Sequence, residues 1–308
     1  FGQAIYSIID NECKGYNKVL DNSEFKIIHG DVNIGVVGKD FRMMFSIPEG
    51  GLISLCYDGE EYITRAPRTS FFRATTDNDR GNSHNFRTAD WQIAGLHQKL
   101  VDFNYTESKE EITLVYKFEM PTSIKTTNTV RYTVTPDGSI KVNINYKGVE
   151  GLPEIPLYSM DFKLKNDLNI FEYYGYGPEE NYIDRNNGAR LGVFENTAKN
   201  NMSRYLIPQE CGNRTKVRWL RVISEDNKGL KFSYVDKPFE MSVLPYSAYE
   251  LENAMHIYEL PPVNYTWVRI IAKQMGVGGD DSWGAPVHEE FTIPSNEDID
   301  LSFIISKI

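Results

Sequence analysis

The chain is short of several things that common functions need. It has five histidines in 308 residues (His29, His84, His97, His256 and His288), no two of them within five positions. A local zinc-binding pair is therefore absent. The three cysteines, Cys13, Cys56 and Cys211, form no CxxC pair, and an odd count makes a poor disulfide framework. They read as reduced thiols of a reducing compartment. Basic residues are outnumbered, 33 against 43 acidic, for a net charge of −10. A general nucleic-acid binder needs the opposite balance, and such a chain has no electrostatic attraction to an anionic membrane. No apolar run approaches the ~18 residues of a membrane-spanning helix. These absences leave neither nucleic acid nor membrane as an expected partner.

Familiar catalytic signatures are missing too. There is no GxSxG nucleophile elbow. Gly276–Asp281 (GVGGDD) is glycine-rich, but no GK[ST] follows, and the sixth position is not glycine. Asp77-Asn78-Asp79 is spaced like the start of a calcium loop. Its glycine, Gly81, falls at the fifth position, and Thr88 stands where a bidentate glutamate belongs. Adjacent carboxylates recur at Glu60-Glu61, Glu110-Glu111, Glu179-Glu180, Asp280-Asp281 and Glu289-Glu290. Neighbours on a strand point to opposite faces. They make poor glycosidase dyads, whose two carboxyls face one sugar ~5–9.5 Å apart, and read as solvated charge or turns.

Aromatic residues are abundant: 19 Tyr and 16 Phe favour strands. Alternating or short apolar runs appear at Glu111–Glu119, Asn128–Val134, Leu157–Leu164, Val217–Ser224, Leu230–Val235, Met241–Pro245, Tyr265–Lys273 and Ile299–Ile305. Pro136-Asp137-Gly138 reads as a hairpin turn in which Asp-Gly takes the positive-φ positions. Asp226–Gly229 joins two further strands. Helical periodicity is nearly absent; its best candidate, Ala89–Leu100, reads as a short helix or an irregular segment. Many short strands divided by turns predict an all-β antiparallel sandwich. Residues 1–21 read as the tail of a preceding domain or a linker. Residues 22–308, undivided by any linker-like block, read as a single β domain. The first residue is Phe1, which suggests a piece of a longer protein. No secretory signal is visible, so the expected compartment is the cytoplasm, with periplasm or secretion left open.

Four segments stand out from generic surface: Phe72–Gly81 (FRATTDNDRG), Tyr174–Arg185 (YGYGPEENYIDR), Pro208–Thr215 (PQECGNRT) and Gly276–Gly284 (GVGGDDSWG). The TDND run suits a rigid Asx-turn loop. In the last segment, Gly278 and Gly279 permit a tight turn, and Asp280, Asp281 and Ser282 can hold it by local hydrogen bonds. Trp283 then stands on a stiff polar loop, where its ring can meet the CH face of a sugar and its N–H stays free to donate.

Together and in this order, the segments resemble the C-terminal, small-chain domain of LacZ-type β-galactosidases of glycoside hydrolase family 2. The resemblance covers roughly residues 22–308. It implies a large antiparallel super-sandwich of the galactose-mutarotase-like kind. It also implies a retaining hydrolase of β-D-galactosides such as lactose whose catalytic glutamates lie on a separate (β/α)₈ barrel. No strand–helix alternation here could build that barrel, so no catalytic residue is expected in this chain. By motif match, Trp283 is the aromatic platform for the aglycone sugar, such as glucose, and Gly278–Ser282 is its support. The resemblance further implies Mg²⁺ and Na⁺ held by other domains with no cofactor or metal here, the barrel domain as partner, and a homo-oligomeric parent. Tyr176 stands where Arg or Leu is usual, and Cys211 where Asn is usual. Two other readings are a stand-alone aldose epimerase or carbohydrate-binding module, which for epimerisation needs a paired acid and base, and a purely structural assembly domain.

Overall fold

A computed structural model describes residues 25–308; the proposed tail at residues 1–21, and Cys13 within it, lie outside these. Strands β1 (Lys26–His29), β2 (Asn33–Val37), β3 (Phe41–Ser46), β4 (Gly51–Tyr57) and β5 (Glu60–Glu61) pair in chain order as one antiparallel meander. After β6 (Arg68–Ser70) come three short helices, α1 (Asp77–Gly81), α2 (His84–Arg87) and α3 (Ala89–Ala94). A second meander follows: β7 (Lys99–Glu107), β8 (Ile112–Glu119), β9 (Thr127–Val134) and β10 (Ile140–Tyr146). The remaining strands are β11 (Leu157–Lys165), β12 (Ile170–Gly177), β13 (Arg190–Thr197), β14 (Arg214–Val217), β15 (Trp219–Ile223), β16 (Gly229–Tyr234), β17 (Phe239–Leu244), β18 (Tyr265–Gln274) and β19 (Ile299–Lys307), with α4 (Ala248–Asn253) between β17 and β18. They complete a nine-stranded sheet, β13-β12-β15-β16-β19-β10-β9-β8-β7, and a five-stranded sheet, β14-β17-β18-β11-β6. All pairings are antiparallel, as the alternation predicts.

The alternation is directly visible in burial. In β10 (IKVNINY), Ile140, Val142, Ile144 and Tyr146 face inward while Lys141 faces water. Both other sheets pack on one face of the nine-stranded sheet, since Tyr132, Val142 and Phe303 stand opposite one another across β9, β10 and β19. Phe45 of the first sheet packs on Tyr132, ring centroids 5.3 Å apart. Phe162 of the third sheet meets Phe232 at 5.0 Å and Phe303 at 6.2 Å. One apolar cluster runs through all three sheets. Two of its buried tyrosines turn their hydroxyls to backbone carbonyls: Tyr57 donates to Gly138 at 2.6 Å, and Tyr146 to Ser295 at 2.8 Å.

Three local expectations need correction. The helical segment stops at Ala94, and Lys99 and Leu100 already belong to β7. The Gln98 side chain donates to Thr69 Oγ1 at 2.8 Å and accepts from Asn128 at 2.7 Å, which ties the chain to the sheet edge where a helix would continue. In the Pro136–Gly138 turn only Gly138 takes positive φ, +77°. Asp137 contributes its carboxylate instead, accepting from Ser139 N at 3.0 Å and Thr135 Oγ1 at 2.6 Å. Finally, Asp77–Gly81 is a helical turn and not an Asx loop. Thr76 accepts from Asp79 N at 3.1 Å, and Asp79 accepts from Thr76 N at 3.0 Å, a reciprocal capping box.

Candidate functional site

Hydrogen bonds tie together the four segments singled out from sequence. Arg73 donates to the carbonyls of Met275 (2.7 Å) and Gly276 (2.8 Å), joining the first segment to the last. It is held by Asp79 at 3.1 Å, both side chains being buried. Burial pushes the Asp79 pKa up, but the Arg73 guanidinium, helped by His84 and Thr76, outweighs it and holds the carboxyl below its ordinary range. Asn78 donates to Asp281 O at 2.8 Å. Gln209, in the third segment, pairs with Asp77: Asp77 N donates to its Oε1, and its Nε2 donates to Asp77 Oδ2, each at 3.1 Å. Asn181, in the second segment, accepts from Thr215 N at 2.9 Å and Thr215 Oγ1 at 2.6 Å.

Carboxylates do much of this tying. Glu180 accepts from Gly212 N at 2.7 Å and Arg185 at 2.5 Å. It is thus part of the framework and not solvated charge, a correction to the reading of the adjacent pairs. Glu61 likewise accepts from Leu55 N at 2.7 Å and Ser54 Oγ at 2.5 Å. Beneath the loops, Arg269 bonds both oxygens of Glu210 at 2.7 and 2.9 Å with almost no solvent contact. Neighbouring Glu240 has its pKa pushed up to about 7 by burial, against the pull of the Asn213 amide. Burial pushes the Cys211 thiol to about 12, so it is no nucleophile at neutral pH.

Against this framework lies the Trp283 loop. Trp283 is 88% exposed, with its ring displayed to solvent. Its backbone is fixed by Asp281, whose Oδ1 accepts from Trp283 N at 2.8 Å and Ala285 N at 3.1 Å. Those two amides hold the Asp281 carboxyl below its ordinary range. Asp280 reaches outward to His288 Nε2 at 2.8 Å, which raises the imidazole's pKa. Ser282 is exposed, and its hydroxyl forms no hydrogen bond among the described residues. The left-handed glycine is Gly284 (φ +120°), packed against Gly81, and not Gly278 or Gly279. Gly279 is required for closeness instead, since a Cβ there would meet Ala285 O at 2.4 Å.

Sequence reasoning missed the principal anchor. Asp184 Oδ2 accepts from Val277 N at 2.8 Å and Gly278 N at 2.7 Å. The only trace in the sequence was an Asp-Arg pair, and Arg185 turns to Glu180 instead. Between the four segments lies a cleft of about 250 Å³, lined among others by Asp77, Tyr182, Arg185, Gln209, Glu210 and Ser282. No histidine lines it. His84 is buried elsewhere, 3.8 Å from Asp79 and 3.6 Å from Glu154, and burial lowers its pKa. Among the described residues, no group of three or more His, Cys, Asp or Glu side chains is arranged to hold a metal. No helix among them is long and apolar enough to cross a membrane.

A family profile described as "Beta galactosidase small chain" matches residues 37–305. The chain belongs to the β-galactosidase small-chain family. The β-galactosidase of Halalkalibacterium halodurans is 44% identical over the whole of this chain, which spans 30% of that protein. The β-galactosidase of Streptococcus thermophilus is 40% identical over 92% of the chain, which spans 28% of it. The chain thus spans under a third of these relatives. The β-galactosidase small subunit of Latilactobacillus sakei is 35% identical, over 92% of this chain and 98% of that one. The small-chain family therefore occurs both within long chains and as a separate polypeptide. Fold neighbours among solved structures include a putative aldose 1-epimerase from Escherichia coli K12, with TM-score 0.47 and 10% identity, over 92% of this chain and 99% of that one.

Proposed function

We propose that this chain is the C-terminal, small-chain part of a LacZ-type β-galactosidase of glycoside hydrolase family 2, and that it supplies the aglycone platform of the active site. The observation that carries this reading is an exposed indole, Trp283, on a loop fixed by Asp281, Asn78 and Asp184, in a chain of the small-chain family. A solvent-facing tryptophan on a rigid polar loop is costly unless a partner covers it.

In this reading the parent hydrolyses terminal β-D-galactosides such as lactose with retention. One carboxylate of a neighbouring barrel attacks the sugar, and a second acts first as acid and then as base. Mg²⁺ and Na⁺ belong to those other domains. The small chain holds no reacting group. Trp283 offers its face to the leaving sugar, glucose in the case of lactose, and keeps it in place as an acceptor for the galactosyl-enzyme. The parent is a cytoplasmic homo-oligomer in which the barrel domain packs beside the Trp283 loop. A stand-alone epimerase would need a convergent acid and base, and the cleft beside Trp283 carries no histidine.

The test is Trp283→Ala in the assembled enzyme. Losing the stacking face should weaken glucose acceptor binding by about 1–2 kcal/mol, a factor of roughly 5–30, and cut transglycosylation. An unchanged glucose inhibition constant would leave the ring with a packing role only. The small chain alone should not turn over a chromogenic galactoside.

A further inference from the structure

We propose that the Asn187-Gly188 step is a site of spontaneous deamidation that the fold leaves unprotected. The site is independent of the platform reading and lies in a turn to which no role is assigned. The chain has 23 glycines, and Gly188 alone follows an asparagine. Such a step is prone to cyclise, because the next amide nitrogen can reach the asparagine side chain and glycine puts no Cβ in its way. Folding normally suppresses the reaction by engaging that nitrogen in a hydrogen bond.

Here it does not. Asn187 and Gly188 are exposed and form the centre of a turn in the loop between β12 and β13. One backbone hydrogen bond spans the turn, from Ala189 N to Asn186 O at 2.9 Å, so swinging Asn187 into the attacking geometry costs little. Among the described residues, neither the Gly188 N–H nor the Asn187 side chain has a hydrogen-bond partner. A Cβ built on Gly188 would meet nothing within 4 Å, so the tip stands clear of the molecule. Asn82-Ser83 is the contrast. Ser83 N is committed to Arg80 O at 3.2 Å, and the Asn82 side chain accepts from Arg87 at 3.3 Å.

The step balances with water as the only co-reactant. The Gly188 nitrogen gives its proton to solvent base and attacks Asn187 Cγ. A C–N bond forms, the bond from Cγ to the side-chain nitrogen breaks, and ammonia departs, leaving a five-membered succinimide. Water then opens either imide carbonyl. The product is aspartate, or isoaspartate with the main chain rerouted through the former side chain. Nothing is oxidised or reduced. One negative charge is added to a chain already at −10. It falls on a cleft of about 550 Å³ lined by Glu179, Glu180 and Asp184 with Arg185 as its one cation, so ageing makes that wall more acidic.

The experiment incubates the assembled enzyme at mildly alkaline pH, folded and in guanidinium, and follows each asparagine by peptide mass spectrometry. Conversion reads as a gain of one dalton, and isoaspartate as a separately eluting peptide of the same mass. Asn187 in the folded enzyme should convert within roughly threefold of its unfolded rate, because the turn shields nothing. Folding should slow Asn82 by roughly tenfold, the upper range of one hydrogen bond. Gly188→Ala should slow Asn187 severalfold in both states, and Asn187→Gln should abolish the gain in that peptide. Equal protection of Asn82 and Asn187 by folding overturns the proposal, as does a gain that survives Asn187→Gln.

Discussion

Between the sheets, Phe162, Phe232 and Phe303 fill space with no polar partner. At the loop end, Arg73, Asp79, Glu210 and Arg269 are just as buried, yet almost every contact is a directed hydrogen bond. Apolar burial scales with area and is indifferent to direction. It can hold two sheets together without specifying where a loop tip sits. Directed bonds from side chains to backbone amides place a loop to a fraction of an ångström, but each buried polar group must be satisfied. The molecule uses the first kind for cohesion and the second to present Trp283.

The largest test of this contrast is Arg269→Ala. It leaves Glu210 charged and alone in a dry site and should cost about 3–5 kcal/mol, read as a lowered urea midpoint. Phe303→Ala should cost a similar ~3–5 kcal/mol through its cavity. The two diverge on repair. Removing the charge as well, in Arg269→Met with Glu210→Leu, should recover most of the loss. A double variant no better than Arg269→Ala would show that the loop end depends on the pair itself.

Asp184→Ala comes next. It removes the acceptor of Val277 N and Gly278 N, worth about 1–3 kcal/mol if both amides are left unpaired. The loss should be local. Amide exchange at Val277 and Gly278 should accelerate while exchange in β10 and β19 holds. Equal acceleration in both places would mean that core and loop unfold as one unit.

The smallest effect is pH-dependent and confined to the rim. Asp280 raises the His288 pKa, so that link is complete below the ordinary imidazole value of ~6.5 and is lost as pH rises through the raised one. Asp281 works in the opposite sense. Its lowered pKa keeps the loop's amide bonds intact above the usual carboxylate range, and they are lost only as pH falls through the lowered value. Titration of the His288 ring by NMR should give a midpoint above ~6.5 that returns to ordinary in Asp280→Asn. An unchanged midpoint would remove Asp280 as the cause.

The strands were legible because their signal is local. In Thr127–Val134 and Ile140–Tyr146, side chains two apart share a face, and the period can be read without knowing the partner strand. Turn residues marked the joins. Two signals were present but unused: Thr76-x-x-Asp79 and Ser247-x-x-Glu250 both spell the capping boxes the structure contains. Ala89–Leu100 holds a short helix whose end at Ala94 was not legible, because Gln98 is claimed by Thr69 and Asn128, partners 29 and 30 residues away.

The sequence by itself determined the antiparallel all-β class, the hairpins, and the placing of Trp283 in a glycine–aspartate loop, since each depends on spacing within a few residues. Only the tertiary structure decided that Asp184 anchors that loop from 93 residues away, that Glu180 is a framework residue, and that four distant segments enclose one cleft. Hydrogen bonds between segments leave no periodicity along the chain. They exist only once the sheets have brought the segments together.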